Sequence, residues 1–222
     1  MTIMRVLACF FAGYLVGSIP FGLLIGRLAA GVDIRRFGTG NIGASNTFRN
    51  LGMLPAALVG VLSFAQGFCP AWTAGHLTGS AGAVAAAGAG SVAGYAWSGF
   101  LRLKGGSAVG TATGALAAFA PMVLIPVLAF YAVGGLLRHP APLVLLGLLA
   151  GLAFLIATPH DAELVLGAAV IVLVVVVKRM AGVRMDLRTD PDHRVAVIMD
   201  RLVHDRRPGQ RLSGPIERRP AP

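Results

Sequence analysis

Charge and cysteine are scarce in this chain of 222 residues. Charged residues make up 13% of it and hydrophobic residues 56%, and the mean hydropathy is +0.76. Soluble globular domains do not reach that balance, so the scarcity of charge excludes one and leaves an integral membrane protein. Cys9 and Cys69 are the two cysteines, each inside an apolar run. That excludes a disulfide framework or a cysteine zinc site, and no metal or cofactor is expected. Acidic residues are scarcer than basic ones, 9 against 19, for a formal net charge of +10.

What is abundant is apolar sequence in runs of membrane length. A helix needs about 20 apolar residues to cross a ~30 Å hydrocarbon core. Apolar runs, some of that length and some shorter, lie at approximately residues 6–26, 52–75, 80–100, 109–120, 121–137, 143–158 and 163–177. The first is too long for a secretory core and ends at Arg27 without a cleavage pattern, so it reads as a retained first span. The positive-inside rule places the basic residues Arg27, Arg35, Arg36, Arg49, Arg102, Lys104, Arg138 and those from Lys178 onward on the cytoplasmic side. Val109 to Leu137 must then start and finish on that side. As one helix it would run about 43 Å, too long for an upright span, and Pro121 and Pro126 interrupt it. A pair of helices turning near Ala120-Pro121 is predicted. The expected fold is an all-α integral membrane bundle of about seven transmembrane helices, N-terminus outside and C-terminus cytoplasmic. Residues 1–180 form the transmembrane domain. Residues 181–222 form a basic, partly disordered tail, held near anionic headgroups by its charge rather than by nucleic acid.

The runs differ in texture. Residues 79–99 are dominated by Gly, Ala and Ser, whose small-xxx-small spacing lets helices approach closely, so this helix is expected at the centre. The β-branched last run is expected to face lipid over much of its surface. Almost no charge lies within the spans, which disfavours a transporter.

Between the first two runs lies RRFGTGNIGASNTFRN, Arg35 to Asn50. Its GTGNIG satisfies the glycine spacing of a dinucleotide loop, yet no strand or βαβ unit fits between Arg27 and the second run. What survives is local chemistry: Gly38, Gly40 and Gly43 free to adopt positive φ, the side chains of Thr39, Asn41, Ser45 and Asn46, and the cations Arg35, Arg36 and Arg49. Such a loop can bind phosphate oxygens. A second polar stretch, AWSGFLRLKGGSAVGTATG, places Lys104, Gly105, Gly106, Ser107 and Thr111 where the third run ends and the fourth begins. A helix start after a glycine pair can also hold an anion, and a simple turn explains the glycines equally well.

Two phosphate cradles on one face of a membrane bundle imply a phosphorylated substrate. GSIPFG (Gly17 to Gly22), Asp33, Arg35 and GTGNIGASNTFRNLG (Gly38 to Gly52) resemble the first signature of the bacterial PlsY family, the acyl-phosphate:glycerol-3-phosphate acyltransferases. FAQGFCPAW resembles that family's Asp-x-x-Lys-Gly-x-x-Pro segment. GYAWSGFLRLKGGSAVGT resembles its second signature, Gly-His-x-x-Pro followed by Gly-Gly-Lys-Gly-Val-Ala-Thr. The resemblance spans roughly residues 10 to 180 and implies seven helices in the bacterial inner membrane. It implies transfer of a fatty acyl group from acyl phosphate to the 1-hydroxyl of glycerol 3-phosphate, giving lysophosphatidic acid and phosphate. Membrane lipids are the remaining partners, and no nucleic acid or cofactor is implied.

Several family positions differ. Tyr95 stands for the histidine of the second signature, Ser107 for its lysine and Ala108 for the next glycine; Ser63 and Gln66 stand for the aspartate and lysine of the middle segment. Losing both of those charges together avoids an unpaired charge in the membrane. FYAVGGLL has Ala132 and Val133 where hydroxyls are expected, and VKRMAGVRMDLR replaces the last signature, whose echo DHRVAVIMDRL lies farther downstream. Two functions follow. One is an acyltransferase in which Lys104, Arg49 and Lys178 or Arg179 supply the cations, with Lys104, Ser107 and Arg49 as catalytic candidates. The other is a non-catalytic relative that binds a phosphorylated lipid or metabolite through Arg35 to Arg49.

Overall fold

The protein is described from a computed structural model, which covers residues 2–136 and 140–181. The basic tail and the downstream echo at 192–202 lie outside the described residues, as does Arg138. Helices and turns account for the described residues, with no strand among them. The helices are α1 (Thr2–Ser18), α2 (Phe21–Ala30), α3 (Ala44–Leu51), α4 (Met53–Thr78), α5 (Ala81–Ala96), α6 (Val109–Phe119), α7 (Leu124–Leu136), α8 (Pro140–Ala157) and α9 (Ala162–Met180). By length and composition, Met53–Thr78 and the broken stretch Ile3–Ala30 are long and apolar enough to cross a membrane; Val109–Phe119 and Leu143–Ala157 are shorter apolar segments.

Three expectations need correction. The first apolar run is not one helix: it breaks at Ile19-Pro20, because Pro20 has no N–H to continue the ladder. The break is held from outside by Gln66 of α4, whose Nε2 donates to the carbonyls of Val16 (2.7 Å), Gly17 (3.2 Å) and Ile19 (2.9 Å). The signature segment is not all loop, since a 3-10 turn at Ile34–Arg36 and the helix α3 fall within it. The third run ends as helix at Ala96 rather than at residue 100, and a second 3-10 turn follows at Gly99–Leu101. The turn predicted at Ala120-Pro121 is present: α6 stops at Phe119 and a 3-10 turn, Pro121–Val123, leads into α7.

The small-residue helix α5 is central, with eleven of its positions buried. Its glycines explain why. A side chain at Gly90 or Gly94 would collide with the backbone of Phe10 or Tyr14 in α1, and one at Gly13 or Gly17 with Ala87 or Ser91 in α5. Two glycine ridges thus bring α1 and α5 into backbone contact, which packs helices where lipid supplies no hydrophobic drive. On another side α5 runs parallel to α9. Glu163 touches Gly82, Ala85 touches Gly167, Ile171 touches Gly88, and Lys178 Nζ lies 5.6 Å over the Trp97 ring. α9 therefore faces outward along Leu166, Val170, Leu173 and Val177, while Ile171, Val172, Val175 and Arg179 turn inward.

Candidate functional site at the α5 C-terminus

The first loop is organised by one side chain. Asn46, 2% exposed, donates through Nδ2 to the carbonyls of Ile34 (3.2 Å), Phe37 (3.1 Å) and Asn41 (2.8 Å). Its Oδ1 accepts from the Thr39 N–H (2.9 Å) and from Asn50 Nδ2 (3.1 Å). Asn46 is therefore engaged in holding the loop together through its backbone and the Asn50 side chain. Gly38 (φ +54°) and Gly40 (φ +71°) adopt the left-handed conformation that glycine permits, and a side chain on Gly38 would strike Asn46 and Asn50. Gly43 does not share it: its φ is −82°, and it caps α3 while its N–H donates to Asn41 Oδ1 at 3.1 Å.

Arg35 is not a loose cation either. Its Nε and Nη2 engage Asp33 Oδ1 and Oδ2 at 2.9 and 2.6 Å, and Asp33 Oδ1 also accepts from the Arg35 N–H. The side-chain hydrogen bond from Arg35 holds the Asp33 carboxyl below its usual range and raises the guanidinium in turn. This fork staples the 3-10 turn that begins the loop. Ser45 and Arg49 stay exposed on α3, and Thr39 is half-buried with its Oγ1 accepting from the Asn41 N–H at 3.4 Å.

The second loop folds back onto the end of α5. The Gly106 N–H donates to the Tyr95 carbonyl at 3.1 Å, and a side chain at Gly105 would collide with the Tyr95 and Ala96 carbonyls. The glycine pair is needed for this close approach. Three non-glycine residues with positive φ are found among the described residues, and all lie here: Arg102 (52°), Leu103 (62°) and Ala108 (59°). Such conformations cost energy and gather at functional sites. Lys104 is exposed and Ser107 half-buried within the strained stretch. Thr111 does not join them. It is fully buried in α6, packed against Gly67 of α4, and its hydroxyl has no hydrogen-bond partner among the described residues.

The two loops meet at Tyr95. The position where a Gly106 side chain would begin lies 2.6 Å from Tyr95 Cε1, 2.8 Å from Asn41 Oδ1 and 3.0 Å from Ile42 Cγ1. Ser63 of α4 donates to the Tyr95 hydroxyl at 3.4 Å. Lys178, over Trp97, and the buried Arg179 bring the basic end of α9 to the same level of the bundle. Ala132 and Val133 are exposed on α7. A cleft of about 440 Å³, lined by Trp72, His76, Ala81 and Asp161, opens at the other end of α5. Sequence reasoning noted Ser63, Gln66 and Tyr95 only as departures. Their signal was that Ser63 and Gln66 share one face of α4 at helical spacing.

The fold is an apolar helical bundle with two glycine loops joined at one end. The family described as glycerol-3-phosphate acyltransferase matches residues 7–185. A glycerol-3-phosphate acyltransferase of Geotalea daltonii is 35% identical over 74% of this chain and 84% of its own length. One from Desulforamulus reducens is 41% identical over half of this chain, and the match spans 56% of that relative's length. The crystal structure of PlsY, an integral membrane glycerol 3-phosphate acyltransferase, in its glycerol 3-phosphate form superposes with a TM-score of 0.74 and 31% identity. It covers 83% of this chain and 92% of that one. Its lysophosphatidic acid form gives 0.71 and 30%, over 87% and 98%. The chain belongs to the glycerol-3-phosphate acyltransferase family and is an integral membrane acyltransferase.

Proposed function

We propose that the chain transfers a fatty acyl group from acyl phosphate to the 1-hydroxyl of glycerol 3-phosphate. The product is lysophosphatidic acid, for phospholipid synthesis. The observation that supports this is the meeting of the two glycine loops at Tyr95 and Gly106. Glycerol 3-phosphate and lysophosphatidic acid are the molecules that define the two PlsY forms, which supports them as acceptor and product here. Family membership favours this reading over a purely binding role.

Acyl phosphate is a mixed anhydride, so the leaving group needs no covalent help. The glycerol 1-oxygen adds to the acyl carbon, the new ester bond forms, the bond from that carbon to the phosphate oxygen breaks, and inorganic phosphate departs with the electron pair. The hydroxyl proton is released. The protein's work is to hold two anions against each other and to stabilise developing oxyanion charge. The N–H groups of Gly38 and Gly105 suit the phosphates, those of Gly40, Gly43 and Gly106 being taken by the Phe37 carbonyl, Asn41 Oδ1 and the Tyr95 carbonyl, with Thr39, Asn41, Ser45 and Ser107 as hydroxyl and amide donors. Lys104 and Arg49 are exposed cations beside the two loops, and Lys178 and Arg179 approach from α9. Arg35 contributes through Asp33 and the loop it braces, and Thr111 through packing. The acyl chain lies between helices, in a multi-pass inner-membrane protein with its N-terminus outside and both loops at the cytoplasmic edge.

Lys104→Ala tests the assignment of charge. Losing a charge-assisted contact to a transferring phosphate costs on the order of 2–4 kcal/mol, about 30- to 1000-fold in rate. Acyl-phosphate-dependent turnover should fall by that factor, whereas Ser107→Lys should raise it or leave it unchanged. Full turnover in Lys104→Ala would remove Lys104 from the site.

A further inference from the structure

We propose that Tyr95 is a positioning residue that fixes the separation of the two glycine loops and so the approach of the acceptor oxygen to the acyl carbon. This rests on the acyl-transfer reading above.

One residue touches three separate elements with three different groups. Its main-chain carbonyl accepts from the Gly106 N–H at 3.1 Å, which pins the second loop. One edge of its ring, at Cε1, lies against Gly106, beside Asn41 and Ile42 of the first loop. Its hydroxyl receives the Ser63 hydroxyl hydrogen bond at 3.4 Å, and lies 3.9 Å from where a side chain at Gly43 would begin. Tyr95 is 3% exposed, on a central helix whose glycines leave it no room to shift against α1. The ring is thus a buttress mounted on a tightly packed helix, meeting Gly106 alongside the side chains of Asn41 and Ile42 where the two loops touch. A smaller side chain would leave space beside that contact into which Asn41–Gly43 and Gly105–Gly106 could shift.

Such a buttress makes a specific kinetic signature. Each loop keeps its own backbone donors when Tyr95 is changed, so each substrate still binds, but the reacting atoms are displaced. Misplacement by about 1 Å can cost about 100-fold in rate. Tyr95→Leu should therefore lower kcat by about that factor while both KM values stay within about threefold of wild type. Tyr95→Phe keeps the ring and should recover most of the rate, and Ser63→Ala should match it. A residue that merely stabilises the fold would lower the amount of active protein without this split and without rescue by Phe. Unchanged kcat in Tyr95→Leu, or KM values raised with kcat intact, would overturn the proposal.

A second measurement is independent of turnover. Spin labels at Phe48→Cys and Leu103→Cys, exposed positions next to the two loops, in a Cys9→Ala, Cys69→Ala background report the inter-loop distance by double electron-electron resonance. The distribution should match the parent in Tyr95→Phe and shift or broaden in Tyr95→Leu. An unchanged distribution in Tyr95→Leu overturns the proposal even if the wild type shows no turnover, a result that would instead remove the acyl-transfer reading.

Discussion

At the scale of single residues, two of the departures from the family signatures meet. Ser63 and Tyr95 stand where the resemblance places an aspartate and a histidine, and they touch each other. Gln66 stands where it places a lysine and still donates to three carbonyls at the α1–α2 break. Each change removes charge or a titrating group while a hydrogen bond is kept, which is the inexpensive way to alter a membrane interior. Ala108 is different, because it keeps a left-handed φ of 59° that suits the family's glycine. An alanine there carries a cost of roughly 1–2 kcal/mol. Ala108→Gly should therefore raise the unfolding free energy in detergent by about 1 kcal/mol, partly offset by the entropy of glycine in the unfolded chain. Equal or lower stability on denaturant titration would show that the strain is absorbed elsewhere.

Helix identity and most helix ends were legible in the sequence because apolar length, the small-residue spacing of residues 79–99 and the Ala120-Pro121 turn are local signals. The helix break at Ile19-Pro20 was not, because its stabilising partner lies in another helix: Gln66 is about fifty residues away. The same reason hid the roles of Asn46 and Tyr95. A glycine loop's residue types imply phosphate binding, but which amide binds a ligand and which ties the loop to itself is decided by contacts across the fold, as Asn46 shows with its five bonds. Gly43 carried no sign in the sequence that its φ would be negative. At this scale Gln66→Leu is informative. It strips side-chain donors from the Val16, Gly17 and Ile19 carbonyls inside the bundle, at a cost of about 1–3 kcal/mol. Thermal unfolding of the purified variant should fall accordingly, and faster proteolysis near Pro20 should accompany it. A wild-type melting profile would mean that the break is held by Pro20 alone.

For the molecule as a whole, the arrangement separates a packed helical frame from one chemically equipped end. α5 is gripped by glycine contacts to α1 and by α9 in parallel register, so its C-terminus is a fixed platform on which both loops fold. The proposed orientation puts that platform at the cytoplasmic edge. Cysteines introduced at Arg35, Lys104 or Lys178 should resist an impermeant maleimide added to intact cells, while one at Ala162 should react; external labelling at position 104 would reverse the orientation. The acyltransferase activity itself is tested most directly by the purified full chain in lipid nanodiscs, supplied with acyl phosphate and glycerol 3-phosphate. The expected result is lysophosphatidic acid and inorganic phosphate in equal amounts, dependent on both substrates. Binding of glycerol 3-phosphate without any lysophosphatidic acid would contradict it.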